Sequence, residues 1–186
     1  MRRLAAPMSS LRDFAMTKKQ PSKEYLDQLC LSVGKAIVTF AHLEHEITMT
    51  IADIFGLTEI QERGLVRPMS IANKTGLLRL LAKQAIKPNE RKRVIDALKE
   101  IDDAADERNG LAHGFYGHKK GEIAITSFSG AARLTGNPVR WTPRKLELFV
   151  VTLRHLRGEV AHFRPLFPMS LQSPKTHHSK LASEQR

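Results

Sequence analysis

Apolar residues recur at steps of three and four along most of the chain, the spacing that gathers them on one face of an α-helix. Cys30, Val33, Ile37, Phe40, Ile47, Ile51 and Ile54 make one such stripe, with Ser22 as N-cap and Gly56 as the stop after about Phe55. A second helix is predicted from about Ser70 to Ile86, with Leu77, Leu78, Leu81 and Ala85 inward. Pro88 suits the first turn of a third helix, whose stripe is Val94, Leu98, Ile101, Ala105 and Ala112. Gly110 and Gly114 weaken the end of that helix. Thr142-Pro143 announces a fourth, carrying Leu146, Phe149, Leu153, Leu156, Val160 and Phe163. Between the third and fourth helices the period changes to two, in Glu122-Ile123-Ala124-Ile125-Thr126. Val139-Arg140-Trp141 is the expected partner strand and Gly136-Asn137-Pro138 the turn, so a hairpin is predicted over about 121–142. The pattern predicts an all-α fold, a four-to-five-helix bundle with this small hairpin inserted before the last helix.

The chain has 186 residues, 41% hydrophobic and 26% charged, which suits one globular domain. The patterned region, 22–163, is taken as that domain. Residues 1–21 and 164–186 read as disordered tails, the second broken up by Pro165, Pro168, Ser170, Ser173 and Pro174. The single cysteine, Cys30, excludes an internal disulfide framework and a Cys-based zinc site. It fits a reducing compartment, so a cytoplasmic location is expected. Charges interrupt every apolar stretch well before it reaches bilayer length, so no membrane span is expected. The net charge is +11, of which residues 1–23 carry +5 and residues 164–186 carry +3, leaving +3 on 24–163. The basic excess sits mainly in the tails, where it suits phosphate contacts or simple solvation.

Two of the stripes are interrupted by a charge. Glu44 falls among the apolar positions of the first helix, and Arg108 among those of the third. An unpaired charge at a buried position costs several kcal/mol, so each needs a partner. The expected solution is that the two helices pack and Glu44 meets Arg108, whose planar fork matches a carboxylate. Such a pair is also explained by helix register alone.

Arg108 opens the segment Arg108-Asn109-Gly110-Leu111-Ala112-His113-Gly114-Phe115. An Arg, a polar residue, three more and a His, near the end of a helix in a helical bundle, resembles the Arg-x4–6-His motif of the HEPN superfamily. Asn109 directly after the Arg matches the commonest form of that motif, and Glu44 matches an acidic residue in an earlier long helix. The resemblance spans roughly residues 22–163. A second Arg-x4-His, Arg157 to His162, flanks the stripe of the fourth helix and reads as a solvated face. Asn109 and His113 lie about 40° apart around a helix and share a face, whereas Arg108 and His113 lie about 140° apart. They converge on one ligand only if the helix loosens, which Gly110 and Gly114 permit, or if a second chain contributes.

The resemblance implies a metal-independent RNA endonuclease working as a homodimer, with two motifs face to face. RNA carries its own nucleophile, the 2′-hydroxyl, so the protein need only move protons and stabilise charge on the phosphate. His113 suits proton transfer. Arg108 suits a bidentate grip on phosphate oxygens. Asn109 is expected to hold the imidazole or to bond the phosphate. Glu44 and Tyr116 are supporting residues. In a toxin-like subset of the family a Tyr follows two residues after the His; here that position is Phe115 and Tyr116 stands one further on. An inhibitory partner protein and a role in defence or toxin-type growth control are the corresponding expectations. The alternative is a HEPN-like module without catalysis that binds RNA, nucleotides or protein. Further RNA contacts are expected from Lys119, Lys120, Arg140 and Trp141, the last by stacking an unpaired base beside Arg140 and Arg144. No cofactor or metal is expected. His42, His45 and the neighbouring Glu46, and the tail pair His177-His178, read as surface groups rather than ligands.

Overall fold

The computed structural model describes residues 21–113, 115–119, 122–126 and 139–167. The fold is helical. Helices α1 (Lys23–Phe55), α2 (Glu59–Gln61), α3 (Ile71–Ala85), α4 (Pro88–His113) and α5 (Pro143–Ala161) make up most of the described chain. A π-helical turn, Glu62–Val66, extends α2, and a 3-10 turn, Arg164–Leu166, follows α5. Three short extended segments, β1 (Phe115–Lys119), β2 (Glu122–Thr126) and β3 (Val139–Trp141), lie antiparallel in that order. Phe115 stands opposite Thr126, and Ile123 opposite Trp141. The Gly136-Asn137-Pro138 turn lies outside the described residues, as do 1–20 and 168–186 of the expected tails. The C-terminal boundary drawn at residue 163 falls short, because the chain continues through the 3-10 turn to a buried Phe167. Among the described residues, no helix is long and apolar enough to cross a membrane.

Contacts divide the chain into two compact units. The first takes the described residues up to Ala41 together with those from Asp103 to Arg154. Its α1 segment starts where Ser22 accepts the Tyr25 amide at 3.2 Å, as an N-cap should. The inward face there differs from the predicted stripe. Leu29, Ala36 and Phe40 are buried, Val33 and Ile37 are only half-buried, and Cys30 is exposed. The stripe is rotated by about one residue, 100° on a helix. Ala104, Ala105 and Leu111 of α4 are buried in this unit, with Leu146, Phe149, Val150 and Leu153 of α5. Thr142 caps α5 by accepting the Lys145 amide at 3.2 Å.

The second unit takes His42–Asp102 and the described residues from His155 onward. Leu43, Ile47, Ile51 and Ile54 of α1 are buried here, as are Leu78, Leu81 and Ala82 of α3 and Val94, Leu98 and Ile101 of α4. Gly56 ends α1 with a left-handed φ of 62°, the role its position predicted. The α2 segment was not read from the sequence. Its signal was local: Thr58 and Gln61 form a reciprocal capping box. Ser70 caps α3 through the Asn73 amide at 3.2 Å. Ion pairs fasten the C-terminal part of α5 within this unit. Arg93 grips Glu159 with two 2.8 Å bonds, and Arg157 reaches Glu46 at 3.5 Å. Beyond α5, Arg164 meets Asp53 at 2.9 Å.

The rotated stripe gives a direct check. Leu29→Ala is expected to cost about 2–5 kcal/mol in urea unfolding, and Cys30→Ala to stay within about 0.5 kcal/mol of the parent. The reverse ordering would restore the stripe through Cys30.

Candidate active site

The motif occupies the end of α4 in the first unit. The helix continues through His113, so the loosening that Gly110 would permit is not taken up there. Intrahelical hydrogen bonding outweighs the conformational freedom of one glycine. Arg108 and His113 therefore remain about 140° apart around the axis. Arg108 is half-buried, and its guanidinium carbon sits 4.8 Å from the centroid of the Phe40 ring. That ring is 1% exposed, so the cation rests on a fixed aromatic face. Contacts of this kind are worth about 0.5–2 kcal/mol. Arg108 Nη1 also donates to Asn109 Oδ1 at 3.0 Å. This leaves Nδ2 as the donating end of the amide, the end that suits a phosphate oxygen. Asn109 and His113 are both exposed.

Glu107, next to Arg108, was not singled out from the sequence. Its carboxyl is held above the ordinary glutamate range, chiefly by partial desolvation and then by Asp103 one turn earlier. The clustering of Asp103, Asp106 and Glu107 ahead of the motif was the available signal.

Glu44 lies in the second unit, where its Oε1 accepts from Lys74 Nζ at 2.9 Å. The Lys74 side chain is 2% exposed and that of Glu44 is 31% exposed. Lys74 was missed by sequence reasoning, although the rule that found Glu44 applies to it. It stands four residues before Leu78 and seven before Leu81, a charge in the inward stripe of α3. Its neighbour Thr75, also buried, donates to Asp102 Oδ1 at 2.7 Å. Arg79 pairs with the other oxygen of Asp102 and donates to the Leu98 carbonyl at 3.0 Å. Polar groups on the inner face of α3 thus carry their partners with them.

Trp141 is 6% exposed and packs on Phe149 with ring centroids 5.7 Å apart. This corrects the base-stacking expectation, because the indole face is used in the core. Tyr116 and Lys119 fall in β1 and Arg140 in β3, opposite Ile125, Glu122 and Ala124 respectively. Lys120 lies outside the described residues, and Arg144 is exposed at the start of α5. The second Arg-x4-His is on a solvated face: Arg157 and His162 are exposed, with His162 Nδ1 2.6 Å from the Gly158 carbonyl. His42 and His45 are exposed, and among the described residues no group of three or more His, Cys, Asp or Glu is placed to hold a metal ion.

Two stability measurements follow from these surroundings. Glu44→Ala strands a buried ammonium and is expected to cost about 3–5 kcal/mol. Lys74→Met leaves a carboxylate that water still reaches and is expected to cost about 1–2 kcal/mol. Equal losses would argue against Lys74 being the desolvated member. For Glu107 the sign is opposite to that of a paired carboxylate. A raised folded-state value means that ionisation opposes folding, so Glu107→Gln should raise the melting temperature at pH 7. That gain should vanish as pH falls below the unfolded-state value of about 4.3. A gain that persisted at pH 3 would point to a cause other than charge.

No family model, curated protein or solved structure matches the chain.

Proposed function

We propose that this chain is an HEPN-like, metal-independent RNA endonuclease that acts as a homodimer through Arg108, Asn109 and His113. The observation that carries this reading is the arrangement at the end of α4: a half-buried guanidinium seated on an aromatic ring and bonded to the exposed Asn109 amide, with the exposed His113 imidazole one turn beyond that amide. In this reading Arg108 and Asn109 hold the phosphate oxygens, and Arg108 gains hold as charge grows on them. His113 takes the proton of the 2′-hydroxyl, whose oxygen attacks the adjacent phosphorus. The 5′ oxygen leaves with a proton from the His113 of a second copy, giving a 2′,3′-cyclic phosphate and a 5′-hydroxyl. The second copy is required because a regular α4 keeps one chain's Arg108 and His113 on different faces. The proposed setting is cytoplasmic defence or toxin-type growth control, held in check by an inhibitory partner protein.

A non-catalytic RNA-, nucleotide- or protein-binding module is the second reading, favoured by the half-burial of Arg108. One assay separates the two. Purified protein is expected to cleave single-stranded RNA in EDTA, and His113→Ala to lower the rate by about 10²–10⁴ with its circular dichroism unchanged. A 2′-deoxy residue at the cut site should block cleavage there. Identical RNA patterns from parent and His113→Ala would leave the binding module as the surviving reading.

A further inference from the structure

We infer that the outward face shared by α1 and α5 in the first unit is where a second copy of this chain docks, with the two α5 helices antiparallel and Glu147 of each copy against Arg154 of the other. The inference rests on the homodimer of the ribonuclease reading and supplies the surface that this reading leaves unassigned.

Four large apolar side chains stand more than half exposed there: Leu31 and Val38 on α1, Leu148 and Val151 on α5. All four belong to the first unit. Single exposed apolar residues are ordinary, but these are arranged. Leu31 and Val38 are seven positions apart, two turns along one side of α1. Leu148 and Val151 are three positions apart and share a side of α5. A cleft of about 210 Å³ runs between the two helices, with Ser32 and Lys35 on one wall and Val150 and Val151 on the other. Valine is among the poorer helix formers, so Val38 and Val151 bring no helical advantage to an outward position.

The charges say what covers the face. Glu147 and Arg154 bracket Val151 on α5, and both are exposed. They are seven positions apart, within about 20° of one line along the helix, with Val151 between them on the same side. From the N-terminal end that line runs acid, apolar, base. Turned by half a revolution about an axis through Val151, a second copy presents base, apolar, acid. Each Glu147 then meets an Arg154, and Val151 meets its own counterpart, as an isologous two-fold contact requires. A parallel pairing sets Glu147 on Glu147 and Arg154 on Arg154, and like charges repel. A foreign helix of a single sign of charge is attracted by one end of the line and repelled by the other. On α1 the same half-turn sets Leu31 over Val38 of the second copy. Their midpoint falls beside Lys35, which lines the cleft together with Val151, so one axis serves both helices. The patch covers little more than two turns of each helix, less than the standard interface of about 800 Å² per partner, so the dimer is expected to be weak and concentration-dependent.

The test is sedimentation of the full chain over a range of concentrations, with RNA cleavage in EDTA followed beside it. The parent is expected to pass from one-chain to two-chain mass as its concentration rises. Glu147→Arg is expected to weaken dimerisation by about tenfold to a hundredfold, since it sets like charges together twice. Adding Arg154→Glu restores the pairing in reverse and should bring the affinity back to within about threefold of the parent. Residues seven apart on one helix are separated by about 10 Å along its axis, so this recovery reports a contact between chains. Leu80→Glu, at an exposed apolar position of the second unit, is the control and should leave the mass unchanged. Circular dichroism should be the same for all variants. A parent of one-chain mass at every concentration overturns the inference and gives the face to another protein. A Glu147→Arg variant that dimerises like the parent, or a double variant that stays monomeric, overturns it too. Cleavage by a parent whose dimer survives Glu147→Arg sinks this face alone and leaves the ribonuclease reading standing. A dimer that obeys the charge pattern but cleaves no RNA supports the face and removes the ribonuclease reading.

Discussion

A charge on the inward face of a helix has to be compensated before that helix can pack. This constraint recurs through the described chain, and each instance has its own solution. Lys74, almost completely removed from water, is answered by Glu44. Asp102 is answered by Thr75 and Arg79, both from α3. Arg108 is seated over Phe40. None of these groups is cheap to bury alone, since desolvating an ion costs more than a single surface ion pair returns. Their value lies in specificity: the partners meet only when each helix presents the correct face.

The end of α4 is where this constraint meets chemistry. Arg108 occupies the stripe that elsewhere carries Val94, Leu98, Ile101 and Ala105, yet it remains partly accessible. The stripe becomes wetter there, with Ala112 exposed. A cation in that position has its stem packed and its head near water. Asn109 and His113 follow on the next face around. About one and a half turns of helix thus offer a charged donor, an amide donor and an imidazole, while the regularity of the helix prevents all three from converging within one chain. The functional reading accordingly couples catalysis to assembly.

Much of the helical plan was legible from periodicity. The stripe predicted for the last helix, Leu146 to Phe163, is buried at every position, and Thr142-Pro143 fixes where that helix starts. α3 and α4 begin where Ser70 and Pro88 said they would. The first part of α1 was less legible. Leu26, Leu29, Leu31 and Cys30 crowd within two turns, so two apolar faces compete, and the exposure of Leu31 shows how little hydrophobicity alone discriminated. At the candidate site, the residue types were legible and their surroundings were not. Trp141 suggested a stacking surface but found a core neighbour in Phe149, and Lys74 drew no notice because lysine is so commonly a surface residue.

Local interactions are written into the order of residues. Caps, a glycine stop and the steps of an apolar stripe act over a few positions, so the chain by itself determined where helices begin and end, and that Arg108, Asn109 and His113 share one helix end. Partnerships between distant positions depend on which faces meet, and a stripe with two apolar alternatives does not specify its rotation. Only the tertiary structure decided that Leu29 rather than Cys30 turns inward, that Lys74 answers Glu44, and that Phe40 lies beneath Arg108. The reason is physical: periodicity constrains an angle about one axis, whereas a contact requires the positions of two.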